Sequence, residues 1–561
     1  MDQNGWSCSR IQKIITPYVV AIDFETTYSG YAFAIRKEFL KGNEKNIEKI
    51  YTVHWNAGAL ISDKTPTTLL LDKKQNFVSF GNEAESLYGK MSEEERTDHY
   101  YFHRFKMLLY DKDGNVKITR NTILKDIKDK EMLAIDVFAH SIRYLRDHFL
   151  MNFEKNNLDK AYLPLDGEIT WVLTVPAIWD EPAKQFMEEA AEKAGIPKDF
   201  LMICLEPEAA AIFCKCLPIE KGVDCLNAMQ PGRRFIVLDA GGDTIDMAIQ
   251  EVTEDGKLQE IDRAQGGDWG GIFVDAQFKE MLEEIVSKPI FEAFRMKYTG
   301  DYIDLFRFFE RKKRANPMSK RVHMLVPLSF LDISGEDIKD LTKAQGFEKD
   351  VTWKRDKIFI EHKNYKEFYN HVIDKIVFKV EEILVSKEAK GTDVILMVGG
   401  FSESDLLQKR IRESFPACKV IIPPECGLAV LKGAVIFGFD PNMIAARVVK
   451  YTYGVGTNTI FIEGTHPKSK KTLINGKNYC KDTFDVHVKK GKTVYIDETT
   501  DKTHYPIYED QTSVNFRVFT CEQADPKYID DEGCNEMGSL TVPMPDTNGG
   551  TNRKVKAKFK F

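Results

Sequence analysis

The sequence contains no uninterrupted apolar run approaching the roughly 18 residues that a membrane-crossing helix requires. It has no surplus of positive charge either. Its 79 Lys and Arg stand against 86 Asp and Glu, a formal net charge of −7, which speaks against coating nucleic acid by bulk charge. Cysteine is sparse: the ten residues are scattered from Cys8 to Cys534, none forms a CxxC pair, and no histidine cluster accompanies them. Reduced thiols are therefore expected rather than disulfides or a cysteine zinc site. The first ten residues are polar and lack the apolar centre of a secretory leader, so a cytoplasmic location is expected. What remains, 43% hydrophobic and 29% charged residues, is the composition of an ordinary folded chain. A length of 561 residues exceeds what one core serves, so at least two domains are expected.

Two segments share one plan. Tyr18-Val-Val-Ala-Ile-Asp-Phe24 is a short apolar run ending beside an acid. A polar turn, Glu25-Thr-Thr-Tyr-Ser-Gly30, leads into Tyr31-Ala-Phe-Ala-Ile35. Phe235-Ile-Val-Leu-Asp239, the turn Ala240-Gly-Gly-Asp-Thr244 and Ile245-Asp-Met-Ala-Ile249 repeat it 216 residues later, counted from Asp23 to Asp239. Each predicts a hairpin with a buried first strand, and the repetition predicts two related α/β lobes facing one cleft. Trp171–Pro176 predicts another buried strand. The helix after it takes Asp180 as N-cap, Pro182 in its first turn and Gly195 as its stop. Val394–Val398, the turn Gly399-Gly400 and a helix from Asp405 can form a backbone-lined anion or nucleotide edge, although many such turns need glycine only for the bend.

Beyond Asp440-Pro441 no helix of twelve residues is predicted, and alternating runs such as Val514–Val518 take over. The chain from about Tyr451 predicts a small β-sandwich. Its end, Lys554-Val-Lys-Ala-Lys-Phe-Lys-Phe561, would suit a basic nucleic-acid arm. Strict alternation favours a strand with Val555, Ala557, Phe559 and Phe561 inward and the lysines outward.

Several more segments follow in order: Lys64-Thr-Pro-Thr-Thr68, Phe105-Lys-Met107, Thr174-Val-Pro-Ala-Ile-Trp179, Leu205-Glu-Pro-Glu-Ala-Ala-Ala211, Val398-Gly-Gly-Phe-Ser-Glu403, Leu431-Lys-Gly-Ala-Val435 and Thr452-Tyr-Gly-Val-Gly456. Together with the two hairpins they resemble the actin-like ATPase superfamily and, within it, the 70-kDa heat-shock chaperone family, above all its divergent heat shock 70 kDa protein 12 branch. The resemblance implies an α/β, two-lobed ATPase of ribonuclease H-like halves followed by a small all-β sandwich; departing from the family, no helical lid is expected after it, since the sequence ends at Phe561. In that frame residues 1–16 are a polar tail, 17–234 lobe I, 235–445 lobe II, 446–450 a linker and 451–561 the substrate-binding-like sandwich.

The resemblance also implies ATP or ADP with Mg²⁺ between the lobes. Thr26, Thr27 and Tyr28 of the first turn and Gly241, Gly242 and Thr244 of the second would clamp the phosphates. Asp23, Asp239 and Asp246 would hold hydrated Mg²⁺. Lys106, Glu206 and Asp239 would be catalytic, Lys106 by neutralising the γ-phosphate and Glu206 by orienting water or the metal shell. Gly270 and Gly271 fall in a further phosphate-side loop. Glu310, Lys313 and Arg314 match the adenosine-contacting helix, and Gly399 and Gly400 its opposite edge. Taken singly, each has a plainer explanation: strand-end caps for Asp23 and Asp239, a surface lysine at 106, a helix cap at Glu206, a solvated charged face at 310–314.

Two positions depart from the family. Glu25 stands where the first turn has glycine, and Asp243 where the second turn has its third glycine. Both put a carboxylate where phosphate oxygens belong, and two unit charges about 4 Å apart repel by roughly 4 kcal/mol at an effective dielectric near 20. Half of that per site already costs tens-fold in affinity. The charges would be evaded if Glu25 swung out into a surface ion pair and Asp243 took up a left-handed turn angle. The basic stretch at 446–450 also differs from the family's leucine-rich linker. The expectation is a chaperone-like protein with weakened nucleotide binding and slow or absent hydrolysis, at most a weak ATPase, with protein or peptide clients on the β-sandwich and neither nucleic acid nor membrane as partner. The alternatives are a non-catalytic scaffold, a normally active ATP-hydrolysing chaperone and, further off, a metabolite kinase on the same fold.

Overall fold

The first apolar run forms β1 (Tyr18–Phe24), buried from Val19 onward, and the second forms β2 (Tyr28–Ile35). They pair antiparallel with Asp23 opposite Gly30 and Phe24 opposite Ser29, so the first hairpin is as expected. The coordinates are a computed structural model and describe residues 15–41, 44–57, 60–109, 118–156, 164–218, 225, 227–315 and 321–560. The N-terminal tail up to residue 14, Cys8 and Phe561 lie outside the described residues. By its contacts the chain divides into two compact units, Ile15–Ala248 with Ala264–Met443, and Ile249–Arg263 with the chain from Ile444 onward.

In the larger unit, β3 (Ile169–Val175) lies parallel to β1, and β4 (Leu201–Leu205) lies parallel to β3. The order β4-β3-β1-β2 returns in the second lobe. There, β5 (Arg234–Ala240) and β6 (Ile245–Val252) form the second strand–turn–strand unit, with β7 (Val394–Val398) parallel to β5 and β8 (Lys419–Ile421) parallel to β7. The order β8-β7-β5-β6 is the same plan used twice, giving the two-lobed α/β architecture.

Helices cover both sheets. α1 (Glu181–Lys193) starts as its sequence dictates, with the Asp180 side chain accepting from Ala183 N and Pro in the first turn, and Gly195 follows it at φ +94°. α2 (Glu206–Lys215) and α3 (Ala429–Phe439) are apolar nearly all round and pack backbone to backbone. A Cβ on Gly433 would stand 1.7 Å from Ala209 O, so only glycine allows this approach. Beneath the first lobe Phe24, Phe105 and Phe138 interlock with ring centroids 5.1–6.0 Å apart. Burying each ring contributes about 2–3 kcal/mol, and Phe105 sunk in this cluster fixes the place of Lys106 next to it.

The smaller unit is β-rich. β9 (Thr452–Ile460), β10 (Lys477–Val488), β11 (Thr499–His504), β12 (Ser513–Cys521), β13 (Cys534–Pro543) and β14 (Val555–Lys560) supply two sheets. One runs 471–474, β10, β9, β12, β13, and the other pairs β11 with β14. In β14 the half-buried Val555, Ala557 and Phe559 alternate with exposed Lys556, Lys558 and Lys560, the strand pattern and not a free basic arm. Within 446–450, residues up to Val448 belong to the strand Ile444–Val448, which pairs antiparallel with Thr493–Tyr495. Among the described residues no α-helix follows Phe439, and none is long and apolar enough to cross a membrane.

Candidate functional site

At the first turn, β1 delivers Asp23 fully buried. Thr174 Oγ1 on β3 donates to its Oδ1 at 2.6 Å, and Lys64 Nζ donates to its Oδ2 at 2.7 Å. The same ammonium donates to Glu25 Oε1 at 2.6 Å. Burial by itself would raise the Asp23 carboxyl. Lys64 and the Thr174 hydroxyl overturn that and hold it below its ordinary value. Glu25 is left above its ordinary value, because burial and the Asp23 charge outweigh Lys64. The segment 64–68 is stitched onto the turn, with Thr67 Oγ1 donating to Glu25 O at 2.6 Å and Thr67 N to Thr27 O at 2.9 Å. Glu25 therefore does not swing out to a surface ion pair. Its pair lies inside, on a lysine 88% shielded from solvent. The sequence signal for Lys64 is electrostatic: an acid buried in a tight turn calls for a cation within reach.

The second turn has no such cation bonded to its intruder. Asp243 is 4% exposed, and neither carboxylate oxygen has a hydrogen-bond partner of ordinary geometry. Burial raises its carboxyl above the ordinary value, with Arg104, the Thr26 hydroxyl and Lys106 offsetting part of the effect. Neither Glu25 nor Asp243 has a positive φ, so Asp243 does not evade the cleft through a left-handed angle. Glycine is required instead at Gly242, where a Cβ would stand 2.0 Å from Thr27 Oγ1. The two turns meet there, face to face.

Around Asp243 the remaining acids converge. Asp239, at the end of β5, is buried and raised well above its ordinary value by burial and then by Glu206, Glu25, Asp246 and Asp23. Asp246 Oδ2 accepts from Ala177 N at 2.7 Å. Lys106 is 3% exposed, donates to Glu206 Oε1 at 3.3 Å and lies 4.9 Å over the Trp179 ring. Glu206, the first residue of α2, is pushed up to about 7 by burial despite that lysine. A small cavity of about 20 Å³ is lined by Glu25, Thr26, Lys106, Trp179, Glu206, Asp239, Gly241, Gly242, Asp243 and Thr244. It has room for one water-sized particle.

A larger cavity of about 620 Å³ shares Glu25 and Gly242 with it and takes in Thr27, Tyr28, Arg104, Gly271, Glu310, Lys313, Arg314 and Gly400. Its charged wall is already paired internally. Lys313 donates to Asp275 Oδ1 at 2.7 Å and pairs with Glu310 at 2.6 Å, while Arg314 pairs with Glu310 at 2.7 Å and lies 4.6 Å over the Tyr28 ring. Burial works to raise Glu310, but Lys313 and Arg314 win and hold it at about 2.

Four expected residues line neither cavity. Asp23 is locked by Thr174 and Lys64, and Asp246 holds the Ala177 amide. The Gly270 amide donates to Asp243 O at 2.7 Å, and its missing side chain lets the backbone lie against Gly242. Gly399, at φ +85°, leaves room for Asp239, whose Oδ1 would stand 2.4 Å from an added Cβ. Gly271, although it lines the larger cavity, gives its amide to Gly241 O at 3.2 Å.

As a donor set, the larger cavity has the volume and the mixed polar and aromatic wall that suit a nucleoside. The smaller one fits a cation or a metal-bearing group better than a bare phosphate, because the unpartnered Asp243 carboxylate lines it beside Glu206 and Asp239.

Two mirrored strand–turn–strand units, one strand order used twice and a cleft where the two turns meet define the actin-like class of nucleotide-binding fold. No family model matches the chain. It is 30% identical to heat shock 70 kDa protein 12B of Homo sapiens, over 97% of its own length and 87% of that protein's. It is 29% identical to heat shock 70 kDa protein 12A of Homo sapiens, over 97% and 88%. With the chaperone protein DnaK of Mycoplasmoides gallisepticum it shares 24% identity over 65% of the chain and 57% of that protein. The chain belongs to the 70-kDa heat-shock protein family, in its heat shock 70 kDa protein 12 branch.

Proposed function

We propose that this chaperone-like protein binds ATP or ADP weakly, and only with Mg²⁺, in the cleft between its lobes, and that it hydrolyses ATP slowly or not at all. The observation that carries this is the buried Asp243 carboxylate, with no cation bonded to it, beside Glu206 and Asp239 in the small cavity. Acids gather around the two turns, among them Asp23, Glu25, Glu206, Asp239 and Asp243, with Lys64 bonded to Asp23 and Glu25 and Lys106 to Glu206. A divalent ion would screen that excess, and the ion's charge cannot be left out of the balance. In this arrangement Thr26, Thr27 and Thr244 offer hydroxyls to phosphate, Lys106 offers the one buried ammonium on the small cavity, and Asp239 and Glu206 hold the metal's water shell. Tyr28, Glu310, Lys313, Arg314 and Gly400 would border the nucleoside. The β-rich unit would engage protein or peptide clients, in the cytoplasm.

Calorimetric titration of ATP and of ADP, each with and without Mg²⁺, tests the proposal. Weak, strictly Mg²⁺-dependent binding is expected, strengthened by Glu25→Gly and Asp243→Gly. Micromolar or tighter affinity with ordinary Mg²⁺ dependence, together with steady phosphate release, would overturn it. A non-catalytic scaffold is favoured by one observation, the small size of the cavity at Lys106 and Glu206. Complete absence of phosphate release in a single-turnover assay, with nucleotide still bound, would select it.

A further inference from the structure

In the smaller unit, β10 and β11 present inward faces to each other. Asp485 and His487 lie two apart on β10 and so share a face. On β11 the half-buried residues are Thr500, Lys502 and His504, again at every second position. The two faces meet through side chains: His487 Nδ1 lies 3.3 Å from Thr500 Oγ1, Lys502 pairs with Asp485 Oδ1, and His504 Nε2 lies 3.8 Å from Asp485 Oδ2.

One ring nitrogen from each histidine and a carboxylate oxygen of Asp485 all lie within 4.8 Å of one another. His487 is 8% exposed, and the Nε2 atoms of both His487 and His504 are buried without a hydrogen-bond partner. A buried imidazole nitrogen left unpaired is costly, and two beside one carboxylate make a ligand set. The rings are held in place: His487 lies 4.2 Å from Phe559, His504 packs edge-on to Phe516 at 5.1 Å, and the Thr500 hydroxyl takes Nδ1 of His487, leaving Nε2 for a ligand.

We propose that Asp485, His487 and His504 form a divalent transition-metal site between the two sheets of this unit, and that Zn²⁺ is the ion it fits best. Two imidazoles and one carboxylate leave a fourth tetrahedral position for water or an outside ligand. Ligand bonds of about 2.0–2.2 Å place tetrahedral ligand atoms about 3.4 Å apart, so closing the site needs side-chain shifts of an ångström or so and no change of backbone. Lys502 keeps Oδ1 of Asp485 while the ion takes Oδ2. All three residues belong to the smaller unit.

The test uses the full chain stripped with a chelator and titrated with Co²⁺, whose visible bands report tetrahedral coordination, followed by Zn²⁺ displacement. One Co²⁺ per chain with such bands is expected, along with a Zn²⁺-dependent rise in melting temperature. Both should be lost in His487→Ala and in His504→Gln, and Thr500→Val, which keeps the ligands, should weaken binding by roughly tenfold. Asp243→Ala, in the cleft, should leave the bands unchanged. His504→Gln, at the half-buried end of β11, keeps the test sharp if His487→Ala fails to fold. Absence of the bands in the native chain, or their persistence in His504→Gln, would overturn the proposal.

Discussion

The two hairpin turns carry the same kind of intrusion and differ in how it is compensated. In the first turn Glu25 shares the Lys64 ammonium with Asp23, and the segment around Lys64 is bonded to the turn backbone. In the second, Asp243 is more deeply buried and has no cation bonded to its oxygens. The first turn has become a self-contained ion cluster. The second keeps an unspent negative charge aimed at the space a ligand would fill. One fold repeat therefore supports two electrostatic states, and the difference comes from a residue 39 positions away from Glu25 and not from either turn.

The largest effect should come from breaking the compensated turn. Lys64→Met leaves Asp23 and Glu25 as buried acids without their counter-charge. Removing one partner of a buried pair costs about 3–5 kcal/mol, so the urea midpoint should fall steeply. Adding Glu25→Gln should recover part of the loss, because Asp23 keeps the Thr174 hydroxyl. A Lys64→Met chain as stable as the native one would mean that the two turns are not differently compensated after all.

The next effect has the opposite sign. Asp243→Ala removes an unpartnered buried carboxylate at a position whose backbone accepts any residue. An unsatisfied buried polar group costs about 1–3 kcal/mol, so this variant should be more stable by an amount in that range, whereas Glu25→Ala should be neutral or destabilising. Both should raise ATP affinity, and Asp243→Ala more, since the Glu25 side chain is 24% exposed and its charge better screened. A gain of about tenfold corresponds to 1.4 kcal/mol. Urea unfolding and calorimetric titration of the two variants side by side would show the contrast, and equal responses would erase it.

Much of this was legible in the sequence because it is local. The strand–Asp–turn–strand plan, the Asp180 cap and the lysine alternation of β14 each depend on neighbours a few residues apart, and each is present. Most of the residues named from motif order, from Thr26 through Asp243 to Arg314, line one of the two cavities. What was not legible depends on distance along the chain. Lys64 reaches Glu25 across 39 residues, His504 meets Asp485 and His487 across a loop between sheets, and Gly242 is required by Thr27 in the opposite lobe. No periodicity records such contacts, since the fold alone creates them. Neither a surface ion pair nor a left-handed angle is found at these acids: a buried lysine is bonded to Glu25, while Asp243 is offset only in part, by Arg104, the Thr26 hydroxyl and Lys106.

The smallest effect concerns pH. Lys64 brings Asp23 below its ordinary value, but Lys106 leaves Glu206 at about 7, because burial and the neighbouring Asp23 and Glu25 charges outweigh it. A carboxyl whose value is raised on folding binds its proton more tightly in the native state. Between the ordinary 4.5 and about 7 the native chain therefore holds more protons at this site than the unfolded chain, and stability falls as pH rises through that window and levels off above it. Asp239 and Asp243 act in the same direction, so the slope of the native chain is steeper than Glu206 alone would give. Glu206→Gln should remove its share, leaving a flatter profile in urea unfolding between pH 5 and 8. Because the second turn carries the surplus charge, Asp243→Ala should flatten that profile as well, while Glu206→Gln with an unchanged slope would show that Lys106 compensates its acid as fully as Lys64 does.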